Sequence, residues 1–256
     1  MMIYPRLLSI ITLVSFLAAC NQDKPIPTVP KPAHSSEFEV EFTVTIENIS
    51  KSSALNSAFS PLVWTVANPS PIALFQHGSQ ASVGFERLAE DGNPETLFEQ
   101  LDSAVTQAKG LKGHQESPTA MGTSQNFSFK AKAGAHLSFA SMLVESNDLF
   151  VAPLNGSVEL FDKDKEPISG AVTVALWDAG TEQNQEPGKG DSQAPRQKAA
   201  NTGSAENQVV RLLSASGDGF KYPDVNQLVK ITISNNDHHD EATHTDTAAD
   251  EHDHAH

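Results

Sequence analysis

The single cysteine of this 256-residue chain, Cys20, and a cluster of histidines near its C-terminus are the side chains whose chemistry a folded core does not explain. Cys20 has no second cysteine to pair with, so it cannot form an intramolecular disulfide. It follows Leu17-Ala18-Ala19, the end of an apolar run from Leu7 to Ala19 that is interrupted only by Ser9, Thr12 and Ser15 and preceded by Arg6. That run is too short to cross a bilayer as a mature helix. Small residues ahead of a cysteine match the lipobox of bacterial exported proteins, in which the thiol is consumed by a diacylglycerol thioether. An ordinary cleaved signal peptide with a chance cysteine is the alternative. Asn21, rather than Asp, after the cysteine predicts an outer-membrane lipoprotein in a Gram-negative envelope.

At the other end, His238, His239, His244, His252, His254 and His256 are interspersed with seven acidic residues and no Lys or Arg. Imidazole suits zinc, copper and nickel, and carboxylates can complete a shell. The spacing is irregular, so a solvated acidic tail is the competing reading. His239-Asp240-Glu241-Ala242-Thr243-His244 has the wrong spacing for a zincin helix, and Gly-x-Ser-x-Gly is absent. Phosphate loops and dinucleotide fingerprints are absent too, so no nucleotide cofactor is expected. A hydrolase of unrecognised type is the remaining enzymatic alternative. The net charge of −15, about half of it in the tail, argues against nucleic acid as a partner.

These groups need elements to hold them, and the chain divides by composition. Residues 1–19 read as a lipoprotein signal peptide and 20–36 as a lipidated cysteine with a tether containing Pro25, Pro27, Pro30 and Pro32. Residues 37–234 have the length of one domain, and 235–256 form a His/Asp-rich tail expected to be disordered. Within the domain, residues 38–46 alternate apolar and polar side chains, the period of a strand with one buried face. Further strands are predicted at 127–131, 135–144, 157–161, 171–177, 209–214 and 227–233, separated by turn formers such as Asn155-Gly156 and Gly217-Asp218-Gly219. Between Ala81 and Lys109 the apolar spacing changes to three and four residues, predicting two short helices divided near Gly92-Asn93-Pro94. The expected fold is therefore mainly β: an antiparallel β-sandwich with two short helices inserted between the early strands. Gln183 to Asn207 is polar, aperiodic and expected to be mobile.

Several segments together resemble the N-terminal domain of spondins, shared by F-spondin and mindin. They are Ser60-Pro61-Leu62, Gly78 to Glu86, Leu88-Ala89-Glu90-Asp91-Gly92, Phe139 to Val144, Ser146-Asn147-Asp148-Leu149-Phe150 and Asp178-Ala179-Gly180-Thr181-Glu182, in the family's order across residues 38–234. The resemblance implies a C2-like sandwich, a calcium site at one end, and a role in adhesion or recognition of a protein or glycan. It places calcium ligands at Asp148 and Asp178. Leu149 stands where the family has Trp, and Phe129 falls near the position of a further acidic ligand.

The residues themselves support the site, because calcium takes six to eight oxygens and both loops are rich in them. Asn147 and Asp148 follow one predicted strand, and Asp178, Thr181 and Glu182 follow another; the five converge if the strands end on one edge. The alternative is that the two aspartates cap turns by accepting backbone N–H groups. Function is thus expected to be non-enzymatic: a membrane-anchored recognition module, with metal handling by the tail as the alternative.

Overall fold

Alternation in the first strand decides which face of the domain is closed. A computed structural model describes residues 38–236; Cys20, the tether and the tail histidines lie outside the described residues. Strand β1 (Glu39–Asn48) buries Val40, Phe42, Val44 and Ile46 and turns the residues between them outward. It pairs antiparallel with β4 (Ser124–Lys132) and β11 (Val229–Asn235), and β8 (Gly170–Ala171) extends the sheet to the order β4-β1-β11-β8. Cross-strand neighbours Phe42 and Phe129 stack at 5.9 Å.

The second sheet has seven antiparallel strands. Its path is β10 (Arg211–Leu212), β9 (Val174–Asp178), β6 (Leu149–Pro153), β5 (His136–Met142), β2 (Val63–Ala67) and β3 (Leu111–His114), with β7 (Val158–Glu159) also paired to β5. One face supplies Leu137, Phe139, Leu149, Val151, Val174 and Leu176 to the core shared with the first sheet. The other face carries Ala140, Phe150, Ala152 and Trp177, covered by Phe85, Leu88 and Ala89 of α1 (Val83–Asp91) and Leu97 of α2 (Glu95–Gln100). Phe85 and Phe150 meet edge to face at 4.7 Å.

This double covering explains the strands that the sequence pattern does not reveal. A strand buried on both faces reads as an unbroken apolar run, and β6 is Leu-Phe-Val-Ala-Pro with all five residues buried. The same holds for most of β2, while β3 is a strand of only four residues, Leu-Lys-Gly-His, at the end of the sheet path. The run 171–177, predicted as one strand, is divided: Gly170–Ala171 pairs with β11 in one sheet, and Val174–Asp178 pairs with β6 in the other. The chain crosses between sheets at Val172-Thr173.

The helical region begins where Ser82 caps α1, its hydroxyl accepting the Phe85 N–H at 3.3 Å. Gly92 ends α1 with φ +66°, a left-handed cap that glycine adopts without strain. Beyond it lie α2 and α3 (Asp102–Ala108), so the second predicted helix is two. They are separated by Leu101 alone, where ψ is −13°. Among the described residues no helix is long and apolar enough to cross a membrane.

Trp64 of β2 reaches across the sandwich to stack on Phe127 at 4.9 Å and 9°. Gly113, its neighbour on β3, makes room for the indole, because a Cβ there would stand 2.4 Å from the ring. Gly113→Ala therefore forces Trp64 off Phe127 and lowers stability by about 1–3 kcal/mol, measured by chemical denaturation; an unchanged midpoint would refute this packing.

Candidate functional site: an acidic cluster at one edge of the larger sheet

Strand register places Leu149 of β6, Asp178 of β9 and Arg211 of β10 side by side. Because β6 starts where β9 ends, the loop before β6 and the loop after β9 emerge on the same edge. Asp148, one residue before β6, and Asp178 are both fully buried. Glu206, on the return toward β10, joins them. Among the described residues these are the only group of three or more potential ligands whose atoms lie within 4.8 Å of one another.

The two oxygens of Asp148 have different surroundings. Oδ2 accepts the Thr181 N–H at 2.8 Å, the Thr181 hydroxyl at 3.1 Å and the Glu182 N–H at 3.1 Å. Oδ1 is buried with no hydrogen-bond partner. Asp178 Oδ1 accepts the Gly180 N–H at 2.7 Å, and its Oδ2 accepts Asn184 Nδ2 and Arg211 Nη2, each at 2.9 Å. Arg211 Nη2 also donates to both oxygens of Glu206, at 2.7 and 2.9 Å. One guanidinium thus faces three carboxylates.

Burial and the neighbouring charge of Asp178 push the Asp148 carboxyl up to about 8, against partial compensation by its three donors. Burial also raises Asp178, and Arg211 opposes that rise. A buried charge without a partner is costly, so the cluster as it stands favours a proton on Asp148.

The predicted site residues divide into two groups. Asp148 and Asp178 come together as the resemblance implies. Thr181 is a donor to Asp148, and Glu182 contributes its backbone N–H there while its carboxylate turns elsewhere. Asn147 is buried and braces the loops: its Oδ1 accepts the Gln185 N–H at 2.9 Å, and its Nδ2 donates to Glu182 and Gln185, each at 3.2 Å. The capping role expected as the alternative is thus present at Asp148 Oδ2 and Asp178 Oδ1, beside an oxygen that caps nothing. Phe129 lies in the sandwich core against Phe42, and Leu149 also faces that core. The third carboxylate is Glu206, which sits in a polar stretch without periodicity. Its only sequence signal was an acidic residue five positions before Arg211.

The stretch 183–207 does not hang free. Gln193 is fully buried and donates to the Glu186 carbonyl at 2.9 Å, Arg196 pairs with Glu145 at 2.7 Å, and Glu182 bridges to Ala205. Its length is taken up by backbone hydrogen bonds of turns and by side-chain hydrogen bonds rather than by strands.

The spondin N-terminal domain model matches residues 51–211, nearly two thirds of the chain. The chain belongs to the spondin N-terminal domain family. No curated protein matches it. The family match holds the seven-stranded sheet as far as Arg211, the first residue of β10, with α1, α2, α3 and all three acidic residues, while β1 and β11 lie outside it. Spondin domains are not a known enzyme family and are generally extracellular or secreted, which agrees with export.

The raised Asp148 pKa carries a pH dependence in the metal-free protein. Its folded value lies above the ordinary 3.8, so the stability it lends is full below about pH 4 and is lost as pH rises through about 8. Relative to Asp148→Asn, which carries no such proton, the melting temperature of the metal-free chain should fall between about pH 5 and pH 9. Parallel pH profiles for the two proteins would contradict the burial of this carboxyl.

Proposed function

We infer that this spondin domain is an exported recognition module, tethered to a membrane through Cys20, whose loops at the acidic edge are organised by calcium. The observation that carries the reading is the buried, unpartnered Oδ1 of Asp148 beside Asp178 and Glu206. Three carboxylates balanced by one guanidinium are an unfavourable arrangement without further positive charge, and calcium prefers carboxylate oxygens. The donor set therefore fits the ion. Asp148, Asp178 and Glu206 would hold it, and it would supply the charge that Arg211 does not.

The chain's own residues do the rest. Thr181 and Glu182 fix the carboxylate of Asp148, Asn147 ties the loop of residues 143–148 to Gln185, and Arg211 orients Asp178 and Glu206. The loops 143–148 and 179–186, before β6 and after β9, then form one rigid surface to meet a protein or glycan partner. Nothing in the cluster supplies an activated nucleophile, and the site reads as a scaffold for contact.

Thermal unfolding of the full chain, stripped of metal and titrated with calcium, tests the reading. At about a hundredfold over the dissociation constant, calcium should add roughly 2.7 kcal/mol, and Asp148→Asn should abolish that gain. No rise in the melting temperature would reduce the aspartates to turn caps. Anchoring is tested separately: Cys20→Ser should move the protein from the membrane to the soluble fraction, and retention on the membrane would overturn the lipid tether.

A further inference from the structure

A second acidic site lies beside the first and opens on different residues. A polar cavity of about 310 Å³ is enclosed by the end of α1, the turn after β9 and the returning loop at 201–208. Glu86, Glu90 and Glu182 line it, and no Lys, Arg or His does. Glu90 and Glu182 are each only 3% exposed, and Oε2 of Glu182 is buried without a hydrogen-bond partner. The Oε1 of the same carboxylate is held by Asn147 Nδ2 at 3.2 Å, so the group is fixed in place with one oxygen unsatisfied.

These residues are poor choices for stability alone. Glu86 and Glu90 are four apart on one helix face, where like charges repel. Glu90 lies in the last turn of α1, where the helix dipole disfavours an anion. Asp91 is already paired with Arg87 at 3.0 Å, and it also accepts Gln197 Nε2 and the Asn201 N–H, tying the loop over the cavity. Gly203 presses on Glu182 so closely that a Cβ there would stand 1.1 Å from its Oε1. The fold therefore confines two buried carboxylates and a third at the rim around one space with no cation of its own.

The width of the cavity selects among cations. The oxygens of Glu86, Glu90 and Glu182 do not converge as the Asp148 trio does within 4.8 Å. A bare ion needs such convergence, whereas a guanidinium presents five N–H donors in a planar fork that can satisfy separated carboxylates and intervening carbonyls. We propose that this cavity is a receptor for a guanidinium group, as carried by an arginine side chain of a partner. The site goes beyond the calcium reading and does not depend on it, since none of its three carboxylates belongs to the Asp148 trio.

The test is a calorimetric titration of the full chain with N-acetyl-arginine amide, in chelator and again in calcium, with N-acetyl-citrulline amide as the uncharged isostere. Binding on the order of millimolar is expected for a ligand of this size. It should persist in chelator, be absent for citrulline, and weaken at least tenfold in Glu182→Gln and in Gly203→Ala, which keeps every charge but displaces the carboxylate. Glu86→Gln at the rim should weaken it less and leaves the buried groups intact, so a folding failure of the other variants does not remove the test. Equal binding of citrulline, no binding of the arginine amide, or a second calcium ion lost in Glu182→Gln would each overturn the proposal.

Discussion

The end of this domain is organised around negative charge that burial has left uncompensated. Asp148 and Asp178 are fully enclosed where β6, β9 and β10 meet, and Glu206 faces them with a single guanidinium, Arg211, to share. A carboxylate pair in such a place is tolerated only when every oxygen has a donor or a counter-charge. Eight donor contacts serve Asp178 Oδ1 and Oδ2, Asp148 Oδ2 and Glu206, and none serves Asp148 Oδ1. The exception marks where an additional positive charge would act.

Much of the surrounding architecture keeps this cluster buried. The larger sheet is covered by the smaller sheet on one face and by α1 and α2 on the other, so the edge where its strands end is closed from both sides. The loop after β9 then folds back and is fastened by Asn147, Gln185, Gln193 and the Arg196–Glu145 pair. Thr181 stands between the two acidic sites: its N–H and hydroxyl serve Asp148, and its side chain also bonds Glu90. A cation in either place acts on a loop that both sites share, which gives a physical route for coupling between them.

Legibility in the sequence followed the pattern of burial. Strand β1 and the helices were readable because one face of each is wet, leaving periods of two and of three to four residues. Strand β6 was not, because both its faces are covered and Leu149 to Pro153 shows no alternation. Asp148 and Asp178 were recognised through family resemblance, and their convergence followed from strands that end on one edge. Arg211 falls within the predicted strand at 209–214, but the pattern does not tell that this strand pairs with β9, and Glu206 lies in the polar, aperiodic stretch before it, so neither was recognisable as part of the site. Glu182 was placed in the right loop, but the local sequence does not tell that its carboxylate turns toward the second cavity.

The most direct test of this account is a calcium isotherm on the full chain beside Glu206→Gln, the cluster member that the loop returning to β10 brings to the site, its N–H bonded to the Thr181 carbonyl at 2.8 Å. If the three carboxylates share one ion, the wild-type chain binds calcium and the variant binds it at least about tenfold more weakly, a loss of roughly 1.4 kcal/mol or more. Calcium binding that is undetectable in the wild-type chain, or unchanged by the loss of the Glu206 charge, would contradict it.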